Sequence, residues 1–517
     1  MLTSKPLRLL YNNMTKHIYT IVIAILFLAC IAVVLFHLVT LTKFPIVFID
    51  EPWYSNVAWN WLKEGVNFDS MHAESRPNAI WPYIGNLPLR ISFDVFGLGL
   101  FQARLVSWIF GILLLILTAL VGLKSYGIAS GVLAALLLSL STPFLQSSHL
   151  VRPDIILSTM GVLCYFLTLI AFLENRRWAH LLSGLLISLS LDIHWNAIIL
   201  GVGLFVLYIY HYRAQVLKSS DTWLFILGVS LGLIYYLIVV VMPDPSKFVS
   251  FYRFSSEISH PMPLFSFNLM ELLRSVREEI RRYGFYQNSV DFIFIFAGMV
   301  YLIFRRSKAD RLLLIFIATV FLGFVLLTGN KSFEYAIILY PFFILVAAEA
   351  IRSLYHAVAG VISSRALVVA ILILLVFSGG LRLARTISGQ KDYDYNATVE
   401  MMKSVIPNGS RVLGIPVWWL GFNDYDFQSL ESLSFFHYIN GYSLTEGLEA
   451  IKPDYVIFDE DVGLRLVDDN YFGKSVHEMY KIPGKEFMKF LNLRGTNVLE
   501  FSDPGHGNIV IYQIHWD

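Results

Sequence analysis

HIYTIVIAILFLACIAVVLFHLVTL, residues His17–Leu41, holds no Asp, Glu, Lys or Arg. It is long enough to cross a bilayer core, which takes roughly 20 helical residues. Lys5, Arg8 and Lys16 precede it. The run exceeds the roughly 7–15 residues of a signal-peptide core and no small-residue cleavage site follows, so it reads as an uncleaved first membrane helix. Working outward, apolar runs of the same kind recur near 101–123, 126–145, 155–173, 178–193, 195–212, 221–242, 291–304, 312–328, 335–351 and 366–381. The expected fold is a polytopic α-helical membrane protein with about eleven transmembrane helices. The two runs on either side of Asp192-Ile193-His194-Trp195-Asn196 read equally as two helices or as one broken element.

The composition agrees. Of 517 residues, 56% are apolar and 15% charged, where a soluble protein carries about a quarter charged. No basic tract is dense enough for nucleic acid. Cys30 and Cys164 both fall inside apolar runs, so neither a disulfide framework nor a thiolate metal site is expected. Lys124, Arg176, Arg177, Arg213, Lys218, Arg305, Arg306, Lys308, Arg311, Arg352 and Arg365 fall in alternate turns, whereas the opposite short turns hold only Arg152 and Lys331. Positive charge marks the cytoplasmic side, so the N-terminus is expected inside, with integral membrane location in a prokaryotic plasma membrane.

Residues 1–385 then form a membrane domain with large outside loops at 43–100 and 243–290. The second loop contains an amphipathic helix over Asn268–Arg282. From about Thr386 the composition turns soluble. Arg411–Ile415 and Asp454–Phe458 read as buried strands, and Asn396–Val405 as a helix closed by Pro407-Asn408-Gly409, so 386–517 is expected to be a small extracytoplasmic α/β domain.

Chemistry is expected where polar residues meet the ends of apolar runs. Phe48-Ile49-Asp50-Glu51-Pro52-Trp53-Tyr54 sets two carboxylates at a membrane boundary, costly unless they are solvated, paired or used. A carboxylate there could deprotonate a hydroxyl or hold a divalent cation; it could equally cap the next helix. Arg76-Pro77-Asn78-Ala79-Ile80-Trp81-Pro82-Tyr83 suits a phosphate clamp as well as a snorkelling arginine. Arg152-Pro153-Asp154 opens the fourth long helix. Lys331, in Gly329-Asn330-Lys331-Ser332-Phe333-Glu334-Tyr335, could reach a phosphate or neutralise Glu334. Arg274, Arg277, Arg281 and Arg282 could face headgroups or a donor phosphate.

As an ordered set these motifs resemble the family 39 branch of the GT-C glycosyltransferases, which includes protein O-mannosyltransferases and lipid A aminoarabinose transferases. The resemblance covers roughly residues 40–350. It implies Asp50 as the principal catalytic carboxylate, with Glu51 its motif partner and Asp154 a second active-site acid. Arg76 stands where many relatives place a lysine. Donor phosphate contacts are assigned to Arg76, Lys331, Arg274 and Arg277, and substrate contacts to Tyr54, Trp81, Tyr83, His194 and Tyr335. The implied reaction is sugar transfer from a polyprenyl-phosphate donor to a hydroxyl of a lipid, glycan or protein, with inversion and with a divalent cation optional. Membrane lipids are the other expected partners. The rival readings are a secondary transporter, which favours internal repeats and mid-membrane breaks, and a non-catalytic membrane scaffold.

Overall fold

The structure is a computed structural model, and it describes residues 5–72, 81–250, 268–283, 289–329, 331–358, 362–467 and 481–516. The helical part contains α1 (Lys5–Val39), α2 (Asp50–Glu64), α3 (Tyr83–Phe96), α4 (Leu100–Tyr126), α5 (Ile128–Ser139), α6 (Thr142–His149), α7 (Pro153–Glu174), α8 (Arg177–Leu189), α9 (Ala197–Tyr212) and α10 (Ser220–Tyr236). It continues with α11 (Leu269–Arg282), α12 (Ser289–Arg305), α13 (Lys308–Leu327), α14 (Ala336–Ala357) and α15 (Ile362–Ser388).

Among the described residues, seven helices are long and apolar enough to cross a membrane, or eight if the bent pair α5–α6 is one span. The chain is an integral membrane protein. Three expected spans are helical but shorter: the apolar part of α1, Ile23–Val39, the 13 residues of α8 and the 17 of α12. The run expected as one span over 126–145 is two helices bent by 67°. Ser141 accepts a hydrogen bond from the Phe144 amide and Pro143 sits in the first turn, so a new helix starts there.

The hinge at Asp192 separates two helices, α8 and α9, through a short 3₁₀ turn. Its carboxylate accepts from the Tyr83 and Ile84 amides at 3.2 and 2.9 Å, two of the orphan donors at the start of α3. Glycine lets α8 and α10 touch: a Cβ on Gly184 would lie 2.1 Å from the Phe225 carbonyl, and one on Gly228 2.1 Å from that of Leu181. Such contact is how membrane helices pack without a hydrophobic drive.

The C-terminal region folds around a five-stranded sheet ordered β2-β1-β3-β5-β4. β1 (Arg411–Gly414), β2 (Asp426–Ser429) and β3 (Tyr455–Phe458) run parallel. β4 (Gly495–Asp503) and β5 (Gly507–Ile514) close the sheet as an antiparallel hairpin. Helices α16 (Tyr395–Lys403), α17 (Glu431–Asn440), α18 (Leu444–Ile451), α19 (Glu460–Arg465) and α20 (Gly484–Arg494) complete it. Its apolar core includes Trp418 and Phe422 and continues into Val47, Met71 and Leu100 of the membrane part. The domain therefore sits against the first loop and the start of α2.

Candidate active site

The site grows from the start of α2. Successive helical residues are about 100° apart, so Asp50 and Glu51 face different ways. Glu51 turns inward and is fully buried. Its oxygens take Arg104 Nε at 2.8 Å and Nη2 at 2.7 Å, the Phe48 amide at 2.8 Å and the Val151 amide at 3.1 Å. Arg104 also donates to the Leu41 and Phe44 carbonyls, at 2.7 and 3.3 Å. With every lone pair so engaged, Glu51 is a tie between the end of α1, α2, α4 and the loop before α7, and it offers nothing to a substrate.

Asp50 keeps about a quarter of its side chain exposed. It pairs with Arg152 Nη1. The same guanidinium donates from Nε to Asp154 Oδ2 at 2.8 Å. Asp154 is buried, and its other oxygen has no hydrogen-bond partner among the described residues. Arg152 lies 6.0 Å from the Tyr335 ring centre and 5.7 Å from that of Phe48. The His194 ring is 5.3 Å from Tyr335, and its Nδ1 accepts from the Asn196 amide at 3.1 Å. Asp50, Asp154, His194 and Tyr335, far apart in sequence, thus gather around one arginine. A narrow crevice beside them is lined by Tyr54, Pro82, Asn86, Ser107, Arg152 and Pro153.

The aromatic candidates divide. Trp81 meets Tyr54 edge-on at 6.2 Å and stays near the crevice. Tyr83 packs on Trp61 at 5.4 Å, about two turns further along α2.

The basic candidates divide too. Arg76 lies outside the described residues. Arg274 is exposed and tied to Glu278 at 2.7 Å, and Arg277 is exposed; both turn away from the bundle. The inward face of α11 carries Ser275, Glu279 and Arg282. Arg282 pairs with Glu279 Oε1 through Nη2 and covers the Phe324 ring at 4.4 Å. Its Nε and Nη1 have no hydrogen-bond partner among the described residues, nor has Glu279 Oε2. Lys331 donates to the Phe324 carbonyl and lies 3.8 Å from Glu279; Glu334 pairs with Ser332 instead. Burial pushes the Lys331 ammonium down to about 8, with Glu279 opposing and Arg282 reinforcing the shift. Tyr335 lies within electrostatic reach of Asp154, Arg152, Glu334 and Arg282, so it joins the acidic and basic halves. Among the described residues no group of three His, Cys, Asp or Glu is arranged to hold a metal.

Sequence reasoning missed Arg282 as the inward arginine and Arg104 as the partner of Glu51. The first was readable from spacing, since positions 275, 279 and 282 share a helix face. Arg104 did stand out in sequence, as the arginine that follows Phe96-Gly97 near the start of the second long apolar run, but nothing local tied it to Glu51.

A family model described as dolichyl-phosphate-mannose-protein mannosyltransferase matches residues 81–241, the segment that supplies α3, Arg152, Asp154 and His194. No curated protein sequence matches the chain significantly. Among solved structures, ArnT from Cupriavidus metallidurans bound to undecaprenyl phosphate is similar with a TM-score of 0.58 at 13% identity, covering 93% of this chain and 97% of ArnT. The apo oligosaccharyltransferase of Archaeoglobus fulgidus gives 0.52 at 14%, covering 94% and 75%. The arabinofuranosyltransferase AftD from mycobacteria gives 0.51 at 15%, covering 94% and 40%. The chain has the GT-C fold expected from its sequence, and the matched family and all three structures are glycosyltransferases.

Proposed function

We propose that this protein transfers a sugar from a polyprenyl-phosphate donor to a hydroxyl acceptor, at the membrane face that carries the C-terminal domain. The observation that carries the reading is the convergence of Asp50 and Asp154 on Arg152, next to a basic wall of Arg282 and Lys331. Acid and base are thus separated across Tyr335, as a reaction needs that takes a proton on one side and releases phosphate on the other.

In this reading the acceptor oxygen attacks the anomeric carbon while the bond from that carbon to the phosphate oxygen breaks, giving inversion. Asp50, partly exposed and paired with Arg152, takes the acceptor's proton. Such general-base help contributes typically about 10²–10⁴-fold. Arg282 and Lys331, with Arg76 from the same loop as Asp50, meet the growing charge of the lipid phosphate. Tyr54, Trp81 and the crevice offer apolar faces and hydroxyl partners to a sugar. Arg274 and Arg277 are assigned to lipid headgroups, and Tyr83 to packing. This face is taken as the one outside the cytoplasm, a reading supported by the positive charges gathered in the opposite turns, and a prokaryotic plasma membrane suits a polyprenyl donor. A bound divalent cation is not required by this scheme.

The test is transfer of radiolabelled sugar from polyprenyl-phosphate donors in native membranes, comparing the unaltered protein with Asp50→Asn at matched expression. Label reaching a lipid, glycan or protein fraction only with the unaltered protein supports the assignment. Equal transfer by both removes Asp50 from the role of base.

A further inference from the structure

A second set of buried ionisable side chains lies away from the site, where the first loop meets the C-terminal domain. His72 is fully buried. Its Nδ1 is 2.7 Å from Asp69 Oδ2, in the same loop, and its Nε2 is 3.5 Å from Glu431 Oε2, at the start of α17. Glu431 Oε1 in turn accepts from Arg465 Nη1 at 3.1 Å, at the end of α19. Neutral rings close the rest: Trp53 of α2 stands edge-on at 5.4 Å and Phe435 of α17 at 5.3 Å. The neighbouring backbone joins the same two regions, since the Met71 carbonyl accepts from the Ser429 amide at 3.1 Å and from Ser432 Oγ at 3.3 Å.

Ionised carboxylates only accept hydrogen bonds, and a neutral imidazole donates from one nitrogen alone. With an acid facing each ring nitrogen, a neutral His72 would set a lone pair toward a carboxylate oxygen; an imidazolium donates to Asp69 and turns its second N–H toward Glu431 at ion-pair distance. We propose that His72 is a positioning residue: as an imidazolium shared by Asp69 and Glu431, it clamps the C-terminal domain onto the loop that follows α2, and through Trp53 against its ring it fixes the direction in which that helix presents Asp50. The last part rests on the function proposed above.

Burial pulls the His72 imidazole down, but Asp69 and Glu431 outweigh it and hold it up at about 9. A histidine raised in the folded state contributes fully below its unfolded value, about 6.5, and loses that contribution as pH climbs. The clamp is therefore complete in mild acid, weakens above about 6.5, and is gone once the pH passes about 9.

The experiment uses the full chain in nanodiscs. Hydrogen exchange of residues 69–72 and 426–432 is followed at pH 7 and pH 10, corrected for intrinsic rates. The unaltered protein is expected to lose about a hundredfold in protection of both segments at pH 10, the equivalent of the roughly two pKa units between pH 7 and about 9. His72→Gln is expected to show a similar loss already at pH 7, and adding Glu431→Gln should change little further. Unchanged protection in both the pH comparison and His72→Gln overturns the clamp. The pH comparison needs no substitution, so a His72→Gln protein that fails to fold leaves it intact. Transfer assays on the same samples separate the two claims. The alkaline fall in kcat should vanish in His72→Gln, at a lower plateau and with little change in KM. Protection that follows the prediction with no transfer from any donor keeps the clamp and sinks the glycosyltransferase reading. Asp50-dependent transfer with unchanged protection does the reverse.

Discussion

The two ends of the helical bundle treat buried charge in opposite ways. α14 leaves the Tyr335 turn and reaches Glu349 thirteen residues after its first, about 20 Å away at 1.5 Å per residue. There Glu349 is fully buried and accepts from Ser130 at 2.7 Å, from Arg352 twice at 2.8 Å, from Ser353 at 3.0 Å and from Arg305. Arg305 also holds Asp310, whose carboxylate takes the Ser307 amide at 2.8 Å. Every oxygen of these two carboxylates has an answer. At the site end, Asp154 keeps one oxygen and Arg282 two nitrogens without hydrogen bonds among the described residues. A buried polar atom left unmet costs roughly 1–3 kcal/mol. A fold that satisfies Glu349 so thoroughly tolerates that cost where something else is to be bound.

If this contrast is one of function against structure, substitutions at the two ends should separate turnover from stability. The largest effect is expected at Asp50: Asp50→Asn should cut transfer about 10²–10⁴-fold while the thermal midpoint barely moves, and a midpoint shift as large as that of Glu349→Gln would break the comparison. Next come Glu51→Gln, which leaves the buried Arg104 uncompensated at a cost of about 3–5 kcal/mol, and Glu349→Gln, which takes a buried carboxylate from the half-buried Arg305 and Arg352 and costs less because Arg305 keeps Asp310. Thermal unfolding in detergent should show both losses, with transfer per folded molecule nearly kept for Glu349→Gln. Arg282→Gln should cost about 3 kcal/mol of transition-state stabilisation, roughly a hundredfold in kcat/KM. The smallest effect is a pH limb. Lys331 is charged only below about 8, so KM for the donor should rise as pH climbs through that value, and Lys331→Arg should flatten the rise. A donor KM independent of pH in both proteins would take Lys331 away from the phosphate.

The bundle was legible because hydropathy runs are a one-dimensional signal, and acids at the ends of such runs stand out; Asp50, Glu51 and Asp154 were singled out that way. What stayed hidden depends on which side of a helix meets the rest of the molecule. Asp50 and Glu51 are neighbours of the same chemistry, and only Arg104, more than fifty residues on, turns one of them into a tie. Arg274, Arg277 and Arg282 form one basic cluster in sequence, yet contact with Phe324 selects Arg282. The α5–α6 bend did leave a local mark, Ser141-Thr142-Pro143, which starts a helix inside an apolar run. His72 left none, since its second acid comes from another domain.

The Glu51–Arg104 pair also says something about how the molecule is made. The ribosome delivers Glu51 fifty-three residues before Arg104. Until then the carboxylate has no cation to meet and must remain hydrated, because an unpaired charge is not buried without great cost. Only once α4 is made can the pair form and tie the end of α1 to α2, and the loop before α7 joins the knot when Val151 follows. The mouth that holds Asp50 is therefore closed late in biogenesis, after the second long span is in place. A nascent chain halted before residue 100 would carry the acidic motif and still have no site.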